Sequence, residues 1–184
     1  MQKSENCEPE KVVMNEKKAL WMRILINNIK ALGIFLVLGF VTMFISGFIA
    51  LFIHAGIFEP PLYWLLFFIL IGLFWVHFFA GKRFLASTKN LLLDSASFIF
   101  IIVLTALVLL NAFPLTTVDS FTNVIVFIVT GPASIVRLLM LYIGVNLEQR
   151  VVYYILSLFT IFLPILMQFL GMRKGLQRKS RDSA

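Results

Sequence analysis

Residues 31–53 read ALGIFLVLGFVTMFISGFIALFI, an unbroken stretch without one charged side chain. As a helix it would be about 35 Å long at 1.5 Å per residue, enough to cross the roughly 30 Å hydrocarbon layer of a bilayer. Residues 62–80, 91–113, 123–145 and 151–170 are further apolar runs of comparable length. The chain as a whole, 184 residues, is 60% hydrophobic and 14% charged. Soluble domains carry roughly 45 to 50% apolar residues, so the composition predicts an all-α integral membrane protein.

Outward from that first span, residues 1–16 are polar, with Glu5, Glu8, Glu10 and Glu16 set against Lys3 and Lys11. They are expected to form a mobile cytoplasmic tail. Residues 17–30, KKALWMRILINNIK, place Leu20, Trp21, Ile24 and Leu25 at helical spacing among Lys17, Lys18, Arg23 and Lys30. This pattern predicts a basic interfacial helix anchored in the headgroup layer by Trp21. It does not fit a cleavable signal, because the apolar run behind it is too long and no small-residue cleavage site follows. Residues 31–170 then form the helical membrane domain, and 171–184 a basic cytoplasmic tail.

Inside the first span Gly39, Thr42, Ser46 and Ala50 recur at intervals of three and four, which puts them on one helix face. Small residues there allow a neighbouring backbone to approach closely, so this is the expected helix-packing face. The run 62–80, mostly Leu, Phe and Ile with a lone Gly72, is bulky all round and is expected to face lipid, with Tyr63 and Trp64 at an interface.

Cation placement predicts the topology. Six Lys or Arg precede residue 31, three (Lys82, Arg83, Lys89) lie between the second and third runs, and five (Arg173, Lys174, Arg178, Lys179, Arg181) follow the last. The connections after the first and third runs, around HAGIFEPP and PLTTVDSFT, have none. The positive-inside bias thus assigns both termini and the middle loop to the cytoplasm. Two ends on one side require an even number of crossings, yet there are five apolar runs. The odd one is 123–145, interrupted at Gly131 and Pro132. Proline in a helix interior costs about 3 kcal/mol, and a turn here would let one half descend and Ala133 onward return. The expected fold is therefore four transmembrane helices plus a re-entrant or interfacial segment, which must be buried in protein or line a wet cavity. The alternative keeps this run as a kinked fifth span and leaves the C-terminal cations outside.

Charged residues within membrane runs are the default site candidates. Arg137 lies five residues past Pro132 and could hold an anion together with the free amides of a half-helix start, or snorkel to headgroup phosphates. Asp94 is read as a helix N-cap, with a carboxylate site for a cation or proton as the sharper reading. Were 123–145 a full span, Asp94 and Arg137 would lie at similar depth and could pair. Gly131, Pro132, Arg137 and Asp94 together make the candidate ligand or ion site. His54 and His77, on different helices, are expected to be packing residues, not metal ligands, and Thr105, Asn111 and Thr160 to be interhelical hydrogen-bonding residues.

The chain has no HExxH, GxSxG or P-loop, and no paired intramembrane carboxylates, so hydrolase and ATPase chemistry lack their residues. No enzyme activity, cofactor or metal is expected. The lone Cys7 excludes an intrachain disulfide; it is read as a plain thiol, with lipidation as the alternative. The formal charge of +7 sits beside apolar runs, which points to anionic headgroups at the cytoplasmic face and not to nucleic acid. The expected role is an accessory subunit, scaffold or regulator of the plasma membrane, with a membrane-protein partner or homo-oligomer. The alternative is a small oligomeric channel or carrier whose pathway passes the Gly131 to Arg137 break.

Overall fold

The computed structural model describes residues 8–54, 63–88, 90–112, 128–131, 135, 138 and 150–182, with side chains over 14–52, 64–88, 90–108, 128–131, 135, 138 and 158–175. Among these residues the structure is all α-helix and turn, with no strand. The helices are α1 (Glu8–His54), α2 (Tyr63–Phe84), α3 (Leu91–Ala96), α4 (Ile99–Ala112) and α5 (Arg150–Asp182). Two are long and apolar enough to cross a membrane, over Met14–Phe52 and Trp64–Phe84. The predicted helical class thus holds at this coarser level.

α1 is one helix of 47 residues, about 70 Å long by helix rise. From Glu8 onward, the residues expected to form the tail (1–16), the surface helix (17–30) and the span from Ala31 lie on this one unbroken helix. Between Pro9 and Gly33 the sequence offers no proline or glycine, and its Lys and Glu residues are good helix formers. The weak positions, Asn27 and Asn28, are buried and bonded to other parts of the chain. At the other terminus the expected tail is likewise helical, since α5 continues through 171–182.

The third apolar run does not form one helix. It begins as the six-residue α3 and bends at Ser97 and Phe98, where Ser97 N–H donates to the Asp94 carbonyl at 3.2 Å and Phe98 N–H to that of Ser95 at 3.1 Å. It resumes as α4, whose 14 residues make about 21 Å.

α2 and α5 form the most extensive helix pair. Their contact is made by glycines that bring backbone onto backbone: Gly81 sits on the Gln168 carbonyl, Gly171 on the Phe78 carbonyl, and Gly175 so near Lys82 that a Cβ would lie 2.9 Å from its carbonyl oxygen. Contacts progress from His77 with Gln168 to Lys82 with Gly175, so the helices run parallel and end side by side. The lipid-facing expectation for α2 therefore fails on one face. Leu66, Leu70, Leu73, His77 and Gly81 are buried in a helical stripe, while Trp64, Phe68, Trp75 and Phe79 point outward. Gly72, by contrast, faces open space.

Two apolar clusters fill the interior. One joins Ala31 and Phe35 of α1, Ile101 and Val108 of α4, and Ile161, Ile165 and Met172 of α5. The other joins Ile45 and Ile49 of α1 to Leu66 and Leu70 of α2, together with Ile135 and Leu138. The outer surface is lined by Phe40, Phe44, Phe48 and Leu51 on α1, besides the α2 aromatics. An apolar patch of that extent is rare on a soluble monomer.

Gly171→Ala should destabilise the fold by about 2 kcal/mol through overpacking, whereas Gly72→Ala should be neutral or stabilising by up to about 1 kcal/mol. Thermal unfolding of the detergent-solubilised protein, followed by circular dichroism, measures both; equal effects would contradict the close α2–α5 approach.

Candidate functional site

The break between α2 and α4 is where the chain most needs polar partners. Each helix end leaves unpaired amides and carbonyls, and here four helix ends meet. α1 supplies part of the remedy. The Asn27 side chain grips the Ala86 backbone in both directions, donating to its carbonyl at 2.8 Å and accepting from its amide at 3.2 Å. It also donates to Ser97 Oγ at 3.4 Å. Asn28 serves both helix ends at the bend. Its amide nitrogen donates to the Ala96 carbonyl at the end of α3, 2.8 Å away, and its oxygen accepts from Phe100 N–H in the first turn of α4 at 3.0 Å. A side chain 72 residues away in sequence thus caps α4.

Asp94 completes this polar hub, and its role differs from the expected one. The N-cap of α3 is Asn90, whose side chain accepts from Leu92 N–H at 3.0 Å. Asp94 lies one turn inside the helix, fully buried, with its carboxylate turned back onto the preceding loop. Oδ1 accepts from Thr88 N–H at 2.6 Å and the Thr88 hydroxyl at 2.8 Å; Oδ2 accepts from Ser87 Oγ at 2.6 Å. Arg173 of α5 closes the shell, its Nη1 donating to Oδ2 at 3.1 Å. The pairing considered with Arg137 is therefore taken by Arg173. Arg137 and Pro132 lie outside the described residues.

Asp94 sits ahead of α4 and outside the two membrane-length stretches. Burial alone would push its carboxyl up, but the hydrogen bonds from Ser87, the Thr88 amide, the Thr88 hydroxyl and Arg173 together hold it below its ordinary 3.8. Every described acceptor site of the carboxylate is occupied by the protein, so the arrangement acts as a clasp between the 85–90 loop and α5, with no open position for a ligand.

About three turns along α1, the packing face and the glycine break come together. Gly39 lies against the Ile128 carbonyl, and a Cβ on Gly131 would be 2.9 Å from the Gly39 carbonyl oxygen and 3.3 Å from Thr42 Cβ. Thr42 and Ser46 are buried but bond to their own helix, donating to the Leu38 and Met43 carbonyls at 2.7 and 2.9 Å. Both are small enough to let Gly131 lie against this face. Ala50, the fourth member, is half-buried. The short stretch advances from the level of Gly39 at 128–131 to the Ile45 and Ile49 level at Ile135 and Leu138, that is, away from the hub.

Between hub and cluster lies a buried polar pair, the Gln168 amide donating to His77 Nδ1 at 3.0 Å. Phe35 rests against the same imidazole, with ring centroids 6.3 Å apart. Among the described residues, Gln168 Oε1 and the Thr105 hydroxyl are buried without a hydrogen-bond partner. His54 is the last residue of α1, and its side chain, like that of Asn111, lies outside the described set. Among the described residues no three His, Cys, Asp or Glu side chains are grouped as metal ligands.

Sequence reading missed Asn27 and Asn28, Ser87 and Thr88, Gln168, and the glycine pair 171 and 175. The signals were present: adjacent asparagines within a hydrophobic helix, and glycines four apart opening a stretch read as a tail. Comparison with protein-family models, curated proteins and solved structures finds no match for this chain.

Asp94→Asn should lower stability by about 2 kcal/mol at neutral pH, the scale of hydrogen bonds to a charged group. Because the folded carboxyl lies below its ordinary 3.8, its contribution is full above that value and lost as pH falls through the folded one. Acid titration of unfolding should therefore show a stability decline in the wild type that is reduced in Asp94→Asn; superimposable profiles would remove the clasp.

Proposed function

We propose that the chain is a multi-pass protein of the plasma membrane, its termini and 85–90 loop cytoplasmic, acting without catalysis as an accessory subunit, scaffold or regulator. The observation that carries this reading is the gathering of its three cation-bearing segments at one end of the bundle. Asn27 and Asn28 of α1, the 85–90 loop and Arg173 of α5 share the polar hub. Lys30, Lys82, Arg83 and Lys174 lie within a few residues of it in sequence. A common side for all three is what the positive-inside bias asks of a membrane protein.

The same geometry supports an even number of crossings. α2 runs toward the hub, α4 away from it and α5 back to it, so Ala112 and Arg150 both lie on the side away from the hub. A fifth span through 123–145 would bring Leu138 closer to the hub than Gly131, and the packing of Ile135 and Leu138 against Ile45, Ile49 and Leu66 argues against that. The direction of these contacts supports the re-entrant reading over a fifth span.

A non-catalytic role is favoured over a channel or carrier because the polar groups are used in holding helices together. Asp94 is closed in by four donors, and Gly131 packs onto Gly39 where a pathway was considered. Function then rests on the surfaces the bundle presents. α1 extends some 19 residues, about 28 Å, beyond Asn27, carrying Lys17, Lys18 and Arg23 beside exposed Trp21, Met22 and Leu25. That is a projecting basic arm with exposed apolar side chains among its cations, suited to a partner protein.

Cysteine accessibility tests the topology. In a Cys7→Ser background, Glu148→Cys should be labelled by an impermeant maleimide in intact cells, and Lys179→Cys only after permeabilisation. The reverse pattern would establish five crossings and end this reading.

A further inference from the structure

Where α2 and α5 end side by side they leave a groove of about 490 Å³, lined by Trp75, Phe78, Met167 and Leu170 with Arg173 and Lys174 at one end. Its two chemistries are segregated. The floor is apolar, and the cations stand only at the hub end. Arg173 uses Nη1 on Asp94 and keeps about a third of its side chain exposed (36%). Lys174 is exposed and folds back, its ammonium 5.9 Å from the centre of the Phe78 ring. Two positive charges against one carboxylate leave the rim with a net positive charge.

Its volume falls within the range of single-ligand sites. Gly81, Gly171 and Gly175 draw the two backbones together behind it, so nothing wider can enter between them. An occupant must be narrow, apolar along its length and anionic at the end level with the hub. We propose that this groove binds one anionic phospholipid, with an acyl chain along Trp75 and Leu170 and the headgroup phosphate held between Arg173 and Lys174. This rests on the topology above, which sets the hub at the cytoplasmic headgroup layer. It goes beyond general attraction of the basic segments to lipid in naming a site, a stoichiometry and the residues that select the headgroup. A lipid held there would also cover the outward side of the Asp94–Arg173 pair and bridge the α2 and α5 ends.

The test uses the full chain reconstituted in phosphatidylcholine vesicles, with Trp21→Phe and Trp64→Phe so that Trp75 reports alone. Brominated phosphatidylglycerol should quench Trp75 at a mole fraction about fivefold lower than brominated phosphatidylcholine, the scale of one lysine near an anionic surface. Lys174→Gln, which leaves the Asp94 clasp intact, should remove that preference. Native mass spectrometry of the wild-type protein from detergent should retain one phosphatidylglycerol per chain, and of Lys174→Gln none. Equal quenching by the two lipids, a preference that survives Lys174→Gln, or no quenching by either because a second copy or another chain fills the groove would each overturn the proposal. Lys179→Cys labelling on the same background separates the two levels. Cytoplasmic labelling without lipid preference defeats the groove alone, and exterior labelling defeats the topology beneath it.

Discussion

Helix ends buried among apolar side chains must find their hydrogen bonds within the protein, and this chain meets the requirement between α2 and α4 with three side chains. The turn from α2 through α3 into α4 leaves helix ends at 84, 91, 96 and 99 close together. Asn27 bonds the Ala86 backbone, Asn28 bonds Ala96 and Phe100, and Asp94 bonds the Thr88 amide. Without them the Ala86 backbone would lose its polar partner on α1, and the Phe100 amide after the bend would be left unpaired. Since a buried, unsatisfied group costs about 1–3 kcal/mol, the hub fixes the relative placement of four helices more firmly than any single apolar contact.

The charge in this hub has a specific cause. A carboxylate at Asp94 could not be buried alone, and two hydroxyls, one amide and a guanidinium are aimed at it. Arg173 reaches it because Gly171 and Gly175 let α5 lie directly on α2. Close packing and ion pairing are therefore one arrangement: the glycines set the distance and the charge pair sets the register. The His77–Gln168 bond repeats the device one turn inward. With the Asp94 carboxylate and the two asparagines so committed, the α1 arm and the cation-rimmed groove are surfaces left for interaction.

Much of the candidate site was legible in part. Gly39, Thr42 and Gly131 were each singled out from sequence, the first two as a packing face and the third as a break. That they meet one another depends on where the 128–131 stretch comes to rest, which no local pattern encodes. Asp94 was recognisable as a buried-charge problem, but its N-cap reading failed because Asn90, four residues earlier, caps better and leaves the carboxylate available for the loop. Its partner could not be found from spacing, since Arg173 lies 79 residues on, in a stretch that by charge alone reads as solvated tail.

Composition and apolar run length by themselves determined that the chain is helical with stretches of membrane length, because burying about 20 consecutive apolar residues has few other solutions. Cation distribution likewise singled out the three segments that the fold gathers at one end. Tertiary structure alone decided that the third run bends at Ser97, that α2 packs through Gly81 on one face, and that Asp94 belongs to Arg173. Each of these turns on a hydrogen bond or a backbone contact between residues tens of positions apart. Local periodicity carries no information about such partners.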